Sequence, residues 1–353
     1  MKIIVAGDWH SNLHEKPIFD SFIFLGYQTF KFEWNLYFKV SSNYTLIKNF
    51  TLKFQNKYLF GPIINKMNID FLNFCLINEI DYVFLYRGTH IYKNTISKLK
   101  IKKPTIKIIG YNNDDPFSTN YPKWMWRHFI SSLPLYDLVL AYRKNNIQQF
   151  LNAGAKKSNL LRSWFVPKYN YPLILNSDDK LKYDCDIVFI GHYENDGRLE
   201  CIEKIVEAGY KVKLYGHGYG WNKALLNSSV KDLVPVINVW GENYNKALNG
   251  AKIALCFLSK INKDTYTRRC FEIPACETML LSEYSEDLIN LFIPDYEAAY
   301  FRNQDELMEK IKFYLLNPQK RDFIAKNGFL KVYNGKHDVL SRAKEIIHFF
   351  NNL

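Results

Sequence analysis

The strongest constraint on this chain is its rhythm of short apolar runs alternating with helix-length segments. Ile3-Ile4-Val5-Ala6 leads into Gly7, Pro17 to Leu25 suits a helix closed by Gly26, and Gln28 to Phe32 reads as a second strand. A glycine just past a helix supplies the left-handed residue that ends it. Asn65 to Glu79 carries Met67, Phe71, Phe74 and Cys75 at helical spacing. Tyr82 to Tyr86, Thr105 to Gly110 and Leu138 to Ala141 are brief apolar runs, and Asn145 to Asn152 reads as a helix with Gly154 just beyond it. Uninterrupted apolar runs this short suit strands buried on both faces. Strand and helix in alternation predict an α/β chain with parallel sheets covered by helices on both sides.

The pattern begins again near residue 184, after the polar stretch Asn176-Ser177-Asp178-Asp179-Lys180. Asp186 to Ile190 is a strand running into Gly191, Arg198 to Ala208 a helix ended by Gly209, and Lys211 to Tyr215 a strand ended by Gly216. Asn243 to Asn249 reads as a helix, and Ala251 to Cys256 and Met279 to Ser282 as strands. From Gln304 onward the chain is nearly all helical, broken at Pro318 and near Gly335. The expected division is a first domain over 1–165, a second over 166–335, and a last helix over 336–353 packing back toward the first. Open parallel sheets bind ligands at the carboxyl ends of their strands, so the crevice between two such domains is the expected active site.

Charge is distributed unevenly. Residues 1–165 hold 22 Lys+Arg against 10 Asp+Glu, so the whole formal charge of +12 lies there; residues 166–353 hold 25 of each. An anionic partner for the first half follows, with an anionic membrane surface expected through Lys98, Lys100, Lys102 and Lys103 and through Lys48, Lys53 and Lys57 beside Phe50, Phe54 and Tyr58. No nucleic-acid reader motif is present, so nucleic acid is not an expected partner. Hydrophobic residues at 48% and charged residues at 23% exclude a mainly disordered chain. No apolar window approaches the length of a membrane-spanning helix, and the first residues are too short an apolar run for a secretory leader, so a cytoplasmic location, peripheral at the membrane, is expected. The six cysteines show no CxxC and read as reduced, mostly buried thiols.

Four segments carry candidate chemistry. Asp8-Trp9-His10 has the spacing that opens a two-metal phosphoesterase site, but the later Asn-His and His-x-His ligands are missing, so no metal is expected. His10 remains a candidate catalytic base after the first strand. Asn112-Asn113-Asp114-Asp115-Pro116 follows another strand, and Asp115 is the second candidate base. Gly191-His192 and Gly216-His217 end consecutive strands of the second half, where glycines allow backbone N–H groups to approach a phosphate. The sharpest segment runs from Asp264 to Cys276: two acids eight residues apart, Thr267, Arg268 and Arg269 between them, and a helix start near Arg269. Arginine at a helix start suits a diphosphate, and Glu272 one turn on can accept bonds from a ribose diol.

The stretch Arg269-Cys270-Phe271-Glu272-Ile273-Pro274-Ala275-Cys276 resembles the R-x-F-E-I-P-A-C-G signature of CgeB-like glycosyltransferases. The likeness extends through Phe189-Ile190-Gly191, Tyr215-Gly216-His217-Gly218, Gly241-Glu242-Asn243-Tyr244 and the Pro318/Arg321/Gly328 tail, covering residues 184–345 well. The first half is similar more loosely, at Asn113 to Pro116, Tyr136 to Val139 and Gly154-Ala155-Lys156. The resemblance implies the GT-B fold, two Rossmann-like domains with parallel sheets facing a central cleft, with a nucleotide-sugar on the second domain and the acceptor on the first. It also implies that Glu272 meets the ribose and Asp264 the transferred sugar, with Gly191, His192, Arg198, Gly216, His217, Thr267, Arg268 and Arg269 around the donor. Two residues depart from the pattern: Asp264 stands where Glu is usual, and Glu277 where Gly follows Ala-Cys.

The function expected is transfer of a sugar from a nucleotide-sugar to a glycan, glycolipid or protein acceptor, without metal or other cofactor. The alternative is a non-catalytic nucleotide- or carbohydrate-binding protein on the same fold.

Overall fold

Ile3 to Ala6 have no solvent exposure, because the strand that carries them lies inside a sheet covered on both faces. The computed structural model describes all 353 residues and divides them into two compact units. The first comprises Met1–Arg162 with Val339–Leu353, the second Ser163–Asp338.

In the first unit β1 (Lys2–Gly7), α1 (Glu15–Phe24), β2 (Gln28–Glu33), α2 (Leu46–Tyr58), α3 (Pro62–Ile77) and β3 (Tyr82–Tyr86) follow in order. They are continued by α4 (Lys93–Lys102), β4 (Lys107–Asn112), α5 (Arg127–Ser132), β5 (Leu138–Ala141), α6 (Lys144–Asn152) and β6 (Ser158–Leu160). The strands form one parallel sheet in the order β2-β1-β3-β4-β5-β6. The order reverses between β1 and β3, the switch point at which such sheets open a crevice. Ile4, Val83, Ile108 and Val139 pack from the sheet against Phe71 and Cys75 of α3 and Ile96 and Leu99 of α4.

The second unit holds α7 (Ser177–Tyr183), β7 (Cys185–Ile190), α8 (Arg198–Glu207), β8 (Val212–Tyr215), α9 (Gly218–Leu225), α10 (Glu242–Asn249) and β9 (Ala251–Cys256). Then come α11 (Arg269–Ala275), β10 (Met279–Glu283), α12 (Glu286–Ile289), β11 (Ala299–Phe301), α13 (Gln304–Leu316) and α14 (Pro318–Asn334). Its sheet is also all parallel, in the order β11-β10-β9-β7-β8. Ile187, Phe189, Ile253, Leu255 and Leu281 meet Ile202 and Ile205 of α8 and Ile311 and Tyr314 of α13. The last helix, α15 (Val339–Asn351), belongs to the first unit, where Phe350 stacks on Tyr82 at 4.5 Å and Lys107 Nζ holds the Leu353 carbonyl at 3.0 Å.

The polar stretch at 176–180 opens a helix: Asn176 caps α7 by accepting from the Asp179 N–H at 2.8 Å, and Asp178 and Asp179 sit in the first turn, where negative charge favours a helix. The strand expected at Thr105–Gly110 lies two residues later, so Asn112 ends β4 and Asp114 and Asp115 follow it directly.

Candidate functional site

In the second unit β7 and β8 end in glycines that pack back to back. A Cβ on Gly216, where φ is +156°, would overlap the Gly191 carbonyl oxygen, and one on Gly191 would lie 2.7 Å from Phe189 and 3.3 Å from the Arg269 guanidinium. The Gly191 N–H donates to the Tyr215 carbonyl (2.9 Å) and the Gly216 N–H to the Ile237 carbonyl (3.0 Å). Trp221 Nε1, fully buried on α9, donates to the Gly191 carbonyl at 2.8 Å. The N–H groups of the two glycines themselves are thus bonded within the chain, so an approach to a phosphate would fall to the backbone N–H groups that follow them. What the glycines provide is close approach, bringing the start of α11 and its Arg269 against the end of β7.

Arg198, expected around the donor, is engaged within the chain. Its side chain is buried; Nε and one terminal nitrogen grip the two oxygens of Asp196 at 2.7 and 2.6 Å, and the other terminal nitrogen donates to the His192 carbonyl at 2.6 Å. Such a two-pronged pair is strong because it matches the planar fork of the guanidinium. It orders the loop that carries His192, an exposed residue whose pKa is held down by desolvation among its neighbours and by the Arg269 charge. Glu194 of the same loop accepts from the Lys260 N–H at 3.1 Å, tying it to the segment that leads to Asp264. His217 is exposed at the N-cap of α9.

At α11 the expected residues converge. Glu272, 5% exposed, accepts a 2.9 Å bond from the Tyr244 hydroxyl of α10. Burial raises its pKa, against the pull of Arg268, the Tyr244 bond and Arg269. Arg269 Nε is buried and makes no hydrogen bond within the chain. Thr267 Oγ1 lies 3.3 Å from Cys256 Sγ, itself 3.7 Å from Cys270 Sγ. That cluster holds Cys256 below the ordinary thiol range, through the Cys270 bond first and then Arg269 and Thr267, while burial pushes Cys270 well up. Arg268 lies over the Trp164 ring at 5.2 Å and reaches Ser163 Oγ at 3.3 Å. Asp264 is half-exposed in the turn before, its N–H on the Ser259 carbonyl at 2.8 Å. All six cysteines are free and buried. Sequence reasoning missed Tyr244 as the partner of Glu272, although Gly241-Glu242-Asn243-Tyr244 is part of the family resemblance; a residue pair 28 positions apart leaves no periodic signal.

In the first unit the two candidate bases differ sharply. Asp115 is 2% exposed and accepts from the Phe117 N–H at 3.1 Å and Asn146 Nδ2 at 2.8 Å, joining the β4 loop to α6. These bonds, both to Oδ1, hold the loop in place. His10 is exposed, with Nδ1 3.0 Å from Asp8 Oδ2. The Asp8 bond raises its pKa, against burial. Beyond β4, Asp114 pairs with Arg87 at 2.7 Å. No three His, Cys, Asp or Glu side chains are grouped to hold a metal ion.

Residues 198–348 match the model of a family described as glycosyl transferase-like. No curated protein matches the sequence. Among solved structures the whole chain superposes on sucrose-phosphate synthase from Thermosynechococcus elongatus (TM-score 0.71, 12% identity, 100% of this chain and 98% of that one). It also superposes on HepE of Anabaena, solved with UDP and glucose (0.69, 11%, 100% of each chain), and on a glycosyltransferase from Rickettsia africae (0.68, 13%, 99% and 98%). The two-sheet α/β architecture is that of GT-B glycosyltransferases. The matched segment, somewhat less than half of the chain, contains α11 together with Tyr244 and Asp264, and Gly191 and His192 lie just before it.

Proposed function

We propose that the protein transfers a sugar from a nucleotide-sugar to an acceptor hydroxyl, holding the donor on the second unit. The observation that carries this is the α11 cluster: a buried carboxylate braced by Tyr244, and Arg269 against Gly191 with a buried N–H still to donate. Glu272 would accept from the ribose hydroxyls and Arg269 would neutralise the departing diphosphate, the charge that most needs stabilising in the transition state. Asp264, Thr267, Arg268, His192 and His217 surround that donor, and the reaction proceeds without metal. His10, oriented by Asp8, is the base on the acceptor side. The segment Arg269 to Cys276 supports a CgeB-like branch of the class, and acceptors in surface glycans or glycoconjugates suit it. The basic charge of residues 1–165 supports an anionic membrane as the surface where acceptor is met, with the protein peripheral on the cytoplasmic side.

HepE was solved with UDP-glucose, so UDP and UDP-glucose are the first ligands to try. Thermal shift against UDP, GDP, dTDP, CDP and CMP should single out one base, because a ligand at a hundred times its Kd adds about 2.7 kcal/mol to stability. Released nucleoside diphosphate from the matching sugar nucleotide then separates a transferase from a binding protein. Absence of any nucleotide effect would overturn the reading.

A further inference from the structure

Sugar transfer leaves one prominent surface of the first unit unused, on α2. This helix buries Leu52 and Gln55 and is anchored at both ends. Thr45 caps it by accepting from the Lys48 N–H at 3.2 Å; Arg127 holds the Tyr58 and Leu59 carbonyls at 2.6 and 2.7 Å. Asn56 Oδ1 lies 2.8 Å from the buried His90 ring. The opposite face is apolar and uncovered: Leu46 is 88% exposed, Ile47 80% and Phe50 69%. At about 100° per residue Leu46, Phe50, Phe54 and Ile47 span about 100° of the helix surface. Lys57 falls inside that arc and Lys53 at its edge. Phe54 gathers Phe50, Tyr58 and Phe60 around it at ring distances of 4.7–6.0 Å, so the patch is held together rather than scattered.

The charge around this face has one sign. Between Glu33 and Asp70 there is no acidic residue, while Lys39, Lys48, Lys53, Lys57 and Lys66 are all present. Only Lys66 is ion-paired, with Asp70. Of the other expected contributors, Lys100 is committed to Asp137 and Lys103 to Asp81, which removes half of the α4 cluster and leaves α2 as the focus. An apolar stripe rimmed by unpaired lysines complements one surface chemically, since rings and aliphatic side chains enter the acyl boundary while the ammonium groups meet lipid phosphates.

We propose that α2 is an interfacial helix that docks the first unit on an anionic bilayer, through Leu46, Ile47, Phe50 and Phe54 with Lys53 and Lys57. This deepens the membrane reading above and is independent of the donor chemistry on α11.

The test is flotation of the full chain with vesicles of pure phosphatidylcholine and of equimolar phosphatidylcholine and phosphatidylglycerol. The wild type should float with the anionic vesicles only, and progressively less as salt rises. Ile47→Ser with Phe50→Ser should lose at least about tenfold in partitioning, and Lys53→Glu with Lys57→Glu should lose the preference for anionic lipid. Because these side chains are exposed, both variants should melt like the wild type and keep the same nucleotide-induced thermal shift. Absence of binding to anionic vesicles at low salt, or equal binding to both compositions, overturns the proposal. So does lipid-independent self-association that the serine variant abolishes, which would assign the face to a second copy of this chain. Failure of the nucleotide shift alone would count against the donor reading and leave this one intact.

Discussion

Replacing Glu272 by Gln should weaken the nucleotide and strengthen the empty protein at once. Glutamine keeps the shape of the side chain and an oxygen to accept the Tyr244 bond of 2.9 Å, but not the charge. A bond to an ionised group contributes about 1.5–3 kcal/mol and a neutral one about 0.5–1.5, so roughly 1.4 kcal/mol is lost, about tenfold in Kd. At a ligand concentration a hundred times the wild-type Kd, the stabilisation of about 2.7 kcal/mol then falls to about 1.4. For the empty protein the sign is opposite. Burial raises the Glu272 pKa above that of the unfolded chain, so its contribution to stability is fully present below the unfolded value and lost as pH rises to the folded one. The neutral amide escapes that loss, and the Glu272→Gln variant without ligand should be more stable than the wild type at neutral pH and no different in acid. The wild type's own nucleotide affinity should fall as pH drops through a value above the ordinary glutamate pKa of about 4.3. Calorimetric titration with the matching nucleoside diphosphate, and melting curves across pH, measure all three. Unchanged affinity in a folded variant refutes the placement of Glu272 against the nucleotide; a neutral-pH loss of stability without ligand refutes the account of its burial.

Other tests bear on the same frame. Gly216→Ala drives a methyl group into the Gly191 carbonyl and should cost at least about 2 kcal/mol, whereas Gly26→Ala, with φ +84° but open space, should cost about 1; equal losses in chemical denaturation would contradict the close-packed glycine pair. Asp8→Asn should lower the His10 pKa, followed by NMR titration of its ring; the stabilisation this pair contributes is present below the unfolded histidine value and lost as pH rises through the raised one, and an unmoved titration would dissolve the pair. Donor turnover should survive EDTA, and its complete loss with recovery on adding manganese or magnesium would require a metal.

The fold was legible because its signals are local. Leu138–Ala141 and Ala251–Cys256 are strands to the residue, and Gly209 follows α8 as the spacing of apolar positions requires. What escaped depends on tertiary neighbours. The stretch Asn176 to Lys180 is polar throughout and reads as no element, yet it caps and opens a helix whose Tyr183 is buried. Arg198 has the residue type of a phosphate ligand; only the three-dimensional arrangement reveals that Asp196 and the His192 carbonyl engage three of its N–H groups. Asp115 likewise combines its position at a strand end with a bond from Asn146, 31 residues away, that no local pattern announces. Polar residues near a site divide into those that hold the backbone and those left for a ligand, and the division is invisible until hydrogen bonds are assigned.

Glu277 shows the same division from the side of the backbone. It follows α11 with φ +55°, its N–H on the Pro274 carbonyl at 2.8 Å, which is the left-handed position that ends a helix and most favours glycine. The glycine of the resembled signature thus has a backbone reason to be there that owes nothing to a sugar. This chain keeps the conformation with a residue that dislikes it, at a cost of about 1 kcal/mol, and its side chain is exposed rather than packed. The departure therefore leaves the shape of the α11 site alone and adds a solvent-facing carboxylate five residues from Glu272. In the donor reading proposed here, any altered sugar preference would act through that charge, favouring hydroxyl or amine donors and disfavouring acidic sugars, and not through a reshaped cavity.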